Sequence, residues 1–409
     1  MIMTRRRRSV AMVLVPMFAI ATGGTHAQAG TARRLAFGGD TACLPGADES
    51  REWYARLADA ADQAYFEFGD VLAGTGAVVP ERGLLGHGGG VRLRLSADPR
   101  WGTAAFEFQD DGERGRTDGA FAAGWARSFG GLDLGLAGRF STYGDAHGGS
   151  ATGFRSDAQY FHLYGLGLRT SPRDGLVLEG AGEIVNTMAE SADALHRLDQ
   201  VSTWRSFGLR ARAAIRLTPR LELVPHVDHF RDRRSEYSVE LGGPGDVDDR
   251  LTRVGLAAVV RPRALVLLVI GGEYRTGRDR RQARPGDTVD YDWTMSFRDF
   301  YQVRGRVGLE AETLSWLTLR AGIAYVRADD EWQQAHTGAV QDTEVPPGEV
   351  RAATSVATPL SAGFGIHHGA WTVDLTWVDR APLSDGLAAF GPSATDDAEY
   401  SALSLAVAF

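Results

Sequence analysis

The sequence contains no lysine. All 44 of its basic residues are arginine, set against 52 acidic ones. The resulting net charge of −8 argues against a nucleic-acid partner, which calls for a basic face. There is one cysteine, Cys43, so no internal disulfide can form. Beyond the N-terminal segment, no stretch reaches the ~20 apolar residues that a transmembrane helix needs. Motifs for cofactors and metals are also missing. Gly86-His87-Gly88-Gly89-Gly90 lacks the Lys-Ser/Thr of a phosphate loop and reads as a flexible entry to a strand. Asp110-Asp111-Gly112-Glu113 and Asp246-Val247-Asp248-Asp249 lack the ligand spacing of an EF-hand and read as solvated acidic loops. His367-His368 has no cysteine or carboxylate spaced to complete a zinc site. No cofactor and no metal is therefore expected.

Catalysis has little to stand on either. His226-Val227-Asp228-His229 would place His226 and Asp228 on the same face of a strand. No serine or second acidic pair accompanies them, and a nucleophile needs a positioned base. A wall histidine is the better reading, and the chain is not expected to be an enzyme.

What is present begins with a leader. Arg5 to Arg8 form a charged start, Val10 to Ala21 an apolar stretch too short to span a membrane, and Ala27-Gln28-Ala29 a small-residue cleavage site. Residues 1–29 are expected to be removed on export. That takes away four positive charges and no acid, leaving a net charge of −12.

From about residue 89 onward one pattern repeats. Stretches alternate apolar with polar or small residues, the period-two signature of a strand with two different faces. In 207–217, Phe207, Leu209, Ala211, Ala213, Ile215 and Leu217 oppose Arg210, Arg212 and Arg216. In 317–325, Leu317, Leu319, Ala321, Ile323 and Tyr325 oppose Thr318 and Arg320. In 371–377, Trp371, Val373, Leu375 and Trp377 oppose Thr372, Asp374 and Thr376. Very short connections such as Phe129-Gly130-Gly131, Thr218-Pro219-Arg220 and His368-Gly369 alternate with long polar ones, at 144–157, 188–202, 232–250, 277–297, 328–354 and 380–398. Aromatics gather at strand ends. Trp101, Trp316 and Trp371 flank short turns, while Tyr143, Tyr160, Trp204, Tyr274, Tyr325 and Trp377 lie towards the long loops.

The last strand, Tyr400 to Phe409, alternates Leu403, Leu405, Val407 and Phe409 on one face and ends in the aromatic. This resembles the C-terminal signal read by the outer-membrane barrel-assembly machinery. Together with the short-turn and long-loop asymmetry and the two aromatic belts, the mature chain resembles Gram-negative outer-membrane β-barrel proteins. The expected fold is all-β: a transmembrane antiparallel up-and-down β-barrel. A count from residue 89 gives about 15 strands, and single-chain bacterial barrels carry even numbers. A first strand within 64–74 brings the total to about 16; a misread pair near 102–129 would leave about 14. Residues 30–88 are assigned to an N-terminal segment and 89–409 to the barrel. Within the former, Trp53, Leu57, Ala60, Ala61 and Ala64 have helical spacing, so a short helix from Glu49 to about Ala64 is expected, as a plug in the lumen or a periplasmic element.

Inward faces then carry both signs of charge. Arg210, Arg212, Arg216, Arg253, Arg275, Arg304, Arg306 and Arg320 share an interior with Glu179, Glu183, Glu222, Asp228, Glu273, Glu310 and Asp374. Such charges either line a water-filled constriction or lock the wall and a plug together. The resemblance implies an outer-membrane location, a bilayer and lipopolysaccharide as surroundings, and the assembly machinery as a partner. Passive passage of small solutes is the leading function. A hydrophobic-substrate transporter similar to the fatty-acid channels, marked by a kinked strand, and a non-conducting surface barrel are the alternatives.

Overall fold

The computed structural model describes residues 33, 36–37, 53–69, 87–96, 99–110, 119–148, 154–170, 172–173, 175–192, 198–238, 243–283, 291–338, 350–379 and 399–409. The leader, Cys43 and Asp111 to Glu113 lie outside the described residues.

Alternation drives the chain into strands that pair with their sequence neighbours throughout. In order these are β1 (Gln63–Gly69), β2 (His87–Arg94), β3 (Thr103–Asp110), β4 (Gly119–Phe129), β5 (Leu132–Gly148), β6 (Phe154–Thr170) and β7 (Leu176–Ala192). They continue as β8 (Leu198–Thr218), β9 (Leu221–Ser238), β10 (Gly243–Arg263), β11 (Val266–Ala283), β12 (Tyr291–Leu314) and β13 (Leu317–Gly338). The wall ends with β14 (Val350–Ala357), β15 (Leu360–His368), β16 (Trp371–Asp379) and β17 (Glu399–Ala408). β14 pairs with the distal half of β13, from Val326 to Gln333, and β15 with its proximal half, from Leu317 to Ile323. They are two halves of one barrel strand, interrupted at Thr358-Pro359, where proline cannot donate to the ladder. The barrel therefore has 16 antiparallel strands. β1 closes it, pairing with β17 from Gln63↔Ala408 to Gly69↔Ala402 and with β2 on its other side.

β1 is the first strand expected within 64–74, so the barrel takes in part of the segment assigned to 30–88 and begins at Gln63. Ala64, assigned from sequence to a helix, is in β1. Of the helix expected from Glu49 to about Ala64, the described residues hold a 3-10 turn at Tyr54–Asp59, and residues 49–52 lie outside them. The glycine-rich 87–90 is the first half of β2.

Two-residue turns close one rim: Gly130-Gly131, Pro219-Arg220, Ala264-Leu265, Ser315-Trp316 and Gly369-Ala370. Gly130 and Gly131 both have positive φ, 57° and 118°, which a hairpin this tight assigns to glycine. At the other rim the strands run further than the sequence pattern indicates. Much of 232–250, 277–297 and 328–354 is strand, not loop. Most of these extensions carry few apolar residues, so alternation is weak there; 291–297 is the exception, with Tyr291, Trp293, Met295 and Phe297 alternating. Cross-strand ion pairs hold them instead: Arg231 to Asp248 at 2.8 Å, Arg278 to Asp299 at 2.7 Å and Arg298 to Asp330 at 3.0 Å. Among the described residues β5 to β13 are 17 to 24 residues long and form a tall side of the wall, β14 and β15 together contribute 8 and 9 residues to one strand, and β1 to β4, β16 and β17 have 7 to 11. About ten tilted residues cross a bilayer, so the tall side rises past it.

The outward face is apolar and exposed: Phe207, Leu209, Val254, Leu256, Ile270, Val303, Val307, Leu319 and Ile323 all point away from the interior. Exposed Trp101, Trp316 and Trp371 mark the short-turn end of this band, and Tyr160, Tyr274 and Tyr325 its other end. Inside sit the buried charges. This inversion of the soluble-protein pattern suits hydrocarbon outside and a polar lumen within.

Candidate functional site in the barrel lumen

Most of the inward-facing charges sort into three clusters, the first and third near the short-turn end and the second further up the wall, level with Tyr274. The first centres on Glu179 of β7. Register places it beside Arg169 of β6 and Arg212 of β8, and Arg212 bonds it directly. Arg56, from the 3-10 turn, adds two hydrogen bonds of 2.8 and 3.1 Å. Four residues along β7 on the same face, Glu183 accepts from Arg210 at 2.9 Å and from the Tyr54 hydroxyl at 3.0 Å. Arg169 also binds Asp133 at 3.0 Å and reaches Asp59. The Trp53 ring stacks under the Arg212 guanidinium, 4.1 Å from its centroid.

The second cluster lies across β9 to β12. Arg253 bonds Asp228. Glu273 is met by Arg275 at 2.8 Å, Arg304 at 3.9 Å, and Arg253 and His226 at 4.0 Å. Asp228 is therefore engaged by arginine rather than by His226. Arg306 is buried on the inner wall against Gly271. The third cluster joins β12, β13 and β16. Glu310 accepts from Arg320 at 2.7 Å and from Arg33 at 2.8 and 3.0 Å, and Arg320 also bonds Asp374.

Two of the three clusters are completed by residues that precede the barrel. That segment is seated as well as paired. Tyr54 to Leu57 lie against inner-wall positions that carry almost no side chain. A Cβ at Gly135 would stand 2.2 Å from the Tyr54 backbone, and one at Gly165 2.2 Å from the Tyr54 ring. Leu57 packs with Ala60, Ala105 and Ala126. Phe37 fills a second seat formed by Val224, Ala257, Val259, Leu267 and Val269, and the Ala36 carbonyl accepts from Ser361 Oγ at 2.8 Å.

Of the sequence candidates, Arg210, Arg212, Arg253, Arg304, Arg306, Arg320, Glu179, Glu183, Asp228, Glu310 and Asp374 belong to these inner-wall groups. Arg216 and Glu222 do not join them. They face one another in register three and two residues from the Pro219-Arg220 turn, and Arg216 is exposed at the rim. The candidates missed from sequence were Arg33, Tyr54, Arg56, Asp133 and Arg169. The readable hint was the run of inward-facing Gly and Ala on β3 to β7, where a water-filled lumen would place polar side chains.

A closed antiparallel barrel, apolar outside, charged inside and tightly turned at one rim, is a transmembrane β-barrel of the outer-membrane type. No protein-family model matches the chain, and no curated protein does. Solved outer-membrane structures resemble it at low identity. The alcaligin receptor FauA from Bordetella pertussis shares 8% identity at a TM-score of 0.43, over 85% of this chain and 75% of that one. The toluene transporter TodX from Pseudomonas putida shares 12% at 0.41, over 92% and 96%.

Proposed function

We propose that the protein is an outer-membrane channel for small polar solutes whose short-turn end is plugged by its own N-terminal segment. The observation that carries this reading is the seating of Tyr54 and Arg56 on the inner wall, bonded to Glu183 and Glu179. An apolar outer band favours a bilayer, and export through the leader would deliver the chain to the outer membrane, with assembly there through the β17 signal. The unusual feature is that wall charges are neutralised by a piece of chain that is not part of the wall. Removing it would leave a charged, hydratable passage. The charged wall positions that the segment covers, Glu179, Glu183 and Glu310, favour a polar solute. We read the chain as a conduit rather than an enzyme.

A second reading has one observation in its favour. The interruption at Thr358-Pro359 is the kind of wall defect through which a hydrophobic substrate could leave sideways into the membrane. Conductance in planar bilayers separates the readings. A deletion of 30–60 spares β1, which begins at Gln63. It should raise conductance sharply over the intact mature chain. If both forms conduct equally, the plug is refuted; if neither conducts, the polar channel is.

A further inference from the structure

The tall side of the wall carries a basic surface just above the apolar band. Two consecutive rows of outward-facing residues cross β8 to β12 there. In the lower row Arg231, Arg250 and Arg278 are aligned by register, and Asp299 closes it. In the upper row Arg205, Arg233, Asp248 and Arg280 are aligned in the same way. Six arginines thus face two aspartates, in a protein whose net charge is −8. Asp248 is shared between Arg231 at 2.8 Å and Arg250 at 3.0 Å, and Asp299 is held by Arg278. Further round, on β13, the outward residues Asp329 and Glu331 turn the surface acidic, so the patch has an edge.

Height gives the patch its meaning. Arg205 lies two residues beyond the exposed Phe207, Arg250 four beyond Val254, and Arg278 four beyond Tyr274. Tyr274 belongs to the aromatic belt at the long-strand end of the band. The arginines therefore stand where the headgroups of the outer leaflet would lie. Guanidinium groups match phosphate oxygens in two-point geometry. We propose that this face, Arg205, Arg231, Arg233, Arg250, Arg278 and Arg280, is a docking site for a phosphorylated glycolipid headgroup of the lipopolysaccharide type. Its acyl chains would lie on the apolar band beneath.

The site rests on the outer-membrane reading of the chain, and the test keeps the two apart. The intact mature barrel is reconstituted in phosphatidylcholine vesicles, and heat-modifiable migration on gels reports insertion. Binding of purified lipopolysaccharide is then measured by co-flotation and by native mass spectrometry. A variant carrying R205Q, R233Q and R280Q leaves the Asp248 and Asp299 ion pairs in place. It should insert as the parent does but bind roughly tenfold or more weakly, since each lost contact is charge-assisted. Lipopolysaccharide stripped of its phosphates should bind the parent as weakly. Equal binding of parent and variant overturns the site, as does full competition by millimolar inorganic phosphate, which would mark a site for the free anion. A parent that fails to insert overturns the membrane reading, and the site with it.

Discussion

Arg56 holds Glu179 from the lumen side through two hydrogen bonds, while Arg212 bonds the same carboxylate along the wall. One carboxylate thus fastens the N-terminal segment to the barrel, and its two partners are not equivalent. Arg56→Ala leaves Glu179 compensated by Arg212. Glu179→Ala leaves Arg212 buried without its carboxylate, a loss that costs about 3–5 kcal/mol when a buried pair is broken on one side. R56A should therefore raise conductance with little change in urea unfolding of the barrel, and E179A should lower the unfolding midpoint as well.

Seating can be broken without touching a charge. Valine suits a strand, but its side chain at position 135 would occupy space held by the Tyr54 backbone, 2.2 Å from the Cβ position. Gly135→Val should leave a folded barrel with a displaced N-terminal segment. Trypsin reports it directly: Arg56 should be resistant in the parent and cut in the variant. Equal resistance would show that the wall yields instead.

Arg320 bridges Glu310 and Asp374, and its side chain is 4% exposed. Removing it leaves two acids together on β12 and β16, with Arg33 bonded to Glu310 and reaching Asp374 only through space. Arg320→Ala should be the most destabilising single change in the lumen, by about 3–5 kcal/mol, measured by urea unfolding in detergent. Asp374→Asn in the same background should recover part of the loss.

Much of this architecture was legible because period two survives wherever one face meets lipid and the other the lumen. Phe207 to Leu217 and Trp371 to Trp377 show their sides without any structure. Reading failed where apolar residues are sparse. Asp246 to Asp249 looked like a loop because three acids surround the single apolar Val247, yet they sit in β10 opposite Ser235 to Asp232. The plug contacts were hidden for another reason. Arg56 and Glu179 are 123 residues apart, and the seat for Tyr54 is written in glycines, which record an absence of side chain rather than a partner.

The strand extensions should be acid-resistant. Hydrogen bonding from Arg231 holds Asp248 well below the usual carboxylate range, with Arg250 adding to the effect. A depressed folded value means the pair contributes fully above the ordinary aspartate pKa and is lost only as pH falls through the lower folded one. At pH 4, where a free aspartate is about half protonated, Asp248 should remain ionised. Infrared difference spectra against Asp248→Asn would follow its carboxylate band. Arg231→Gln should move the titration up towards the ordinary range.

Substitution of Phe409 would separate the proposed assembly role from stability. Its amide donates to the Asp62 carbonyl at 3.1 Å, and Ala408 donates to Ala370 at 2.9 Å, so the backbone of the last residues completes the seam between β17 and its neighbours. The Phe409 side chain, by contrast, is 50% exposed and makes little of the packing. Phe409→Ala keeps every backbone bond of the seam and the Gln63↔Ala408 register. The refolded variant should unfold in urea within about 0.5 kcal/mol of the parent, as surface substitutions do. On the proposal that β17 carries an assembly signal, its heat-modifiable form in cells should nonetheless fall several-fold, because such a signal would be read before the seam exists. A variant equally abundant and equally stable would show that the residue carries no assembly signal. One that is unstable in detergent would show that its role is in the finished seam.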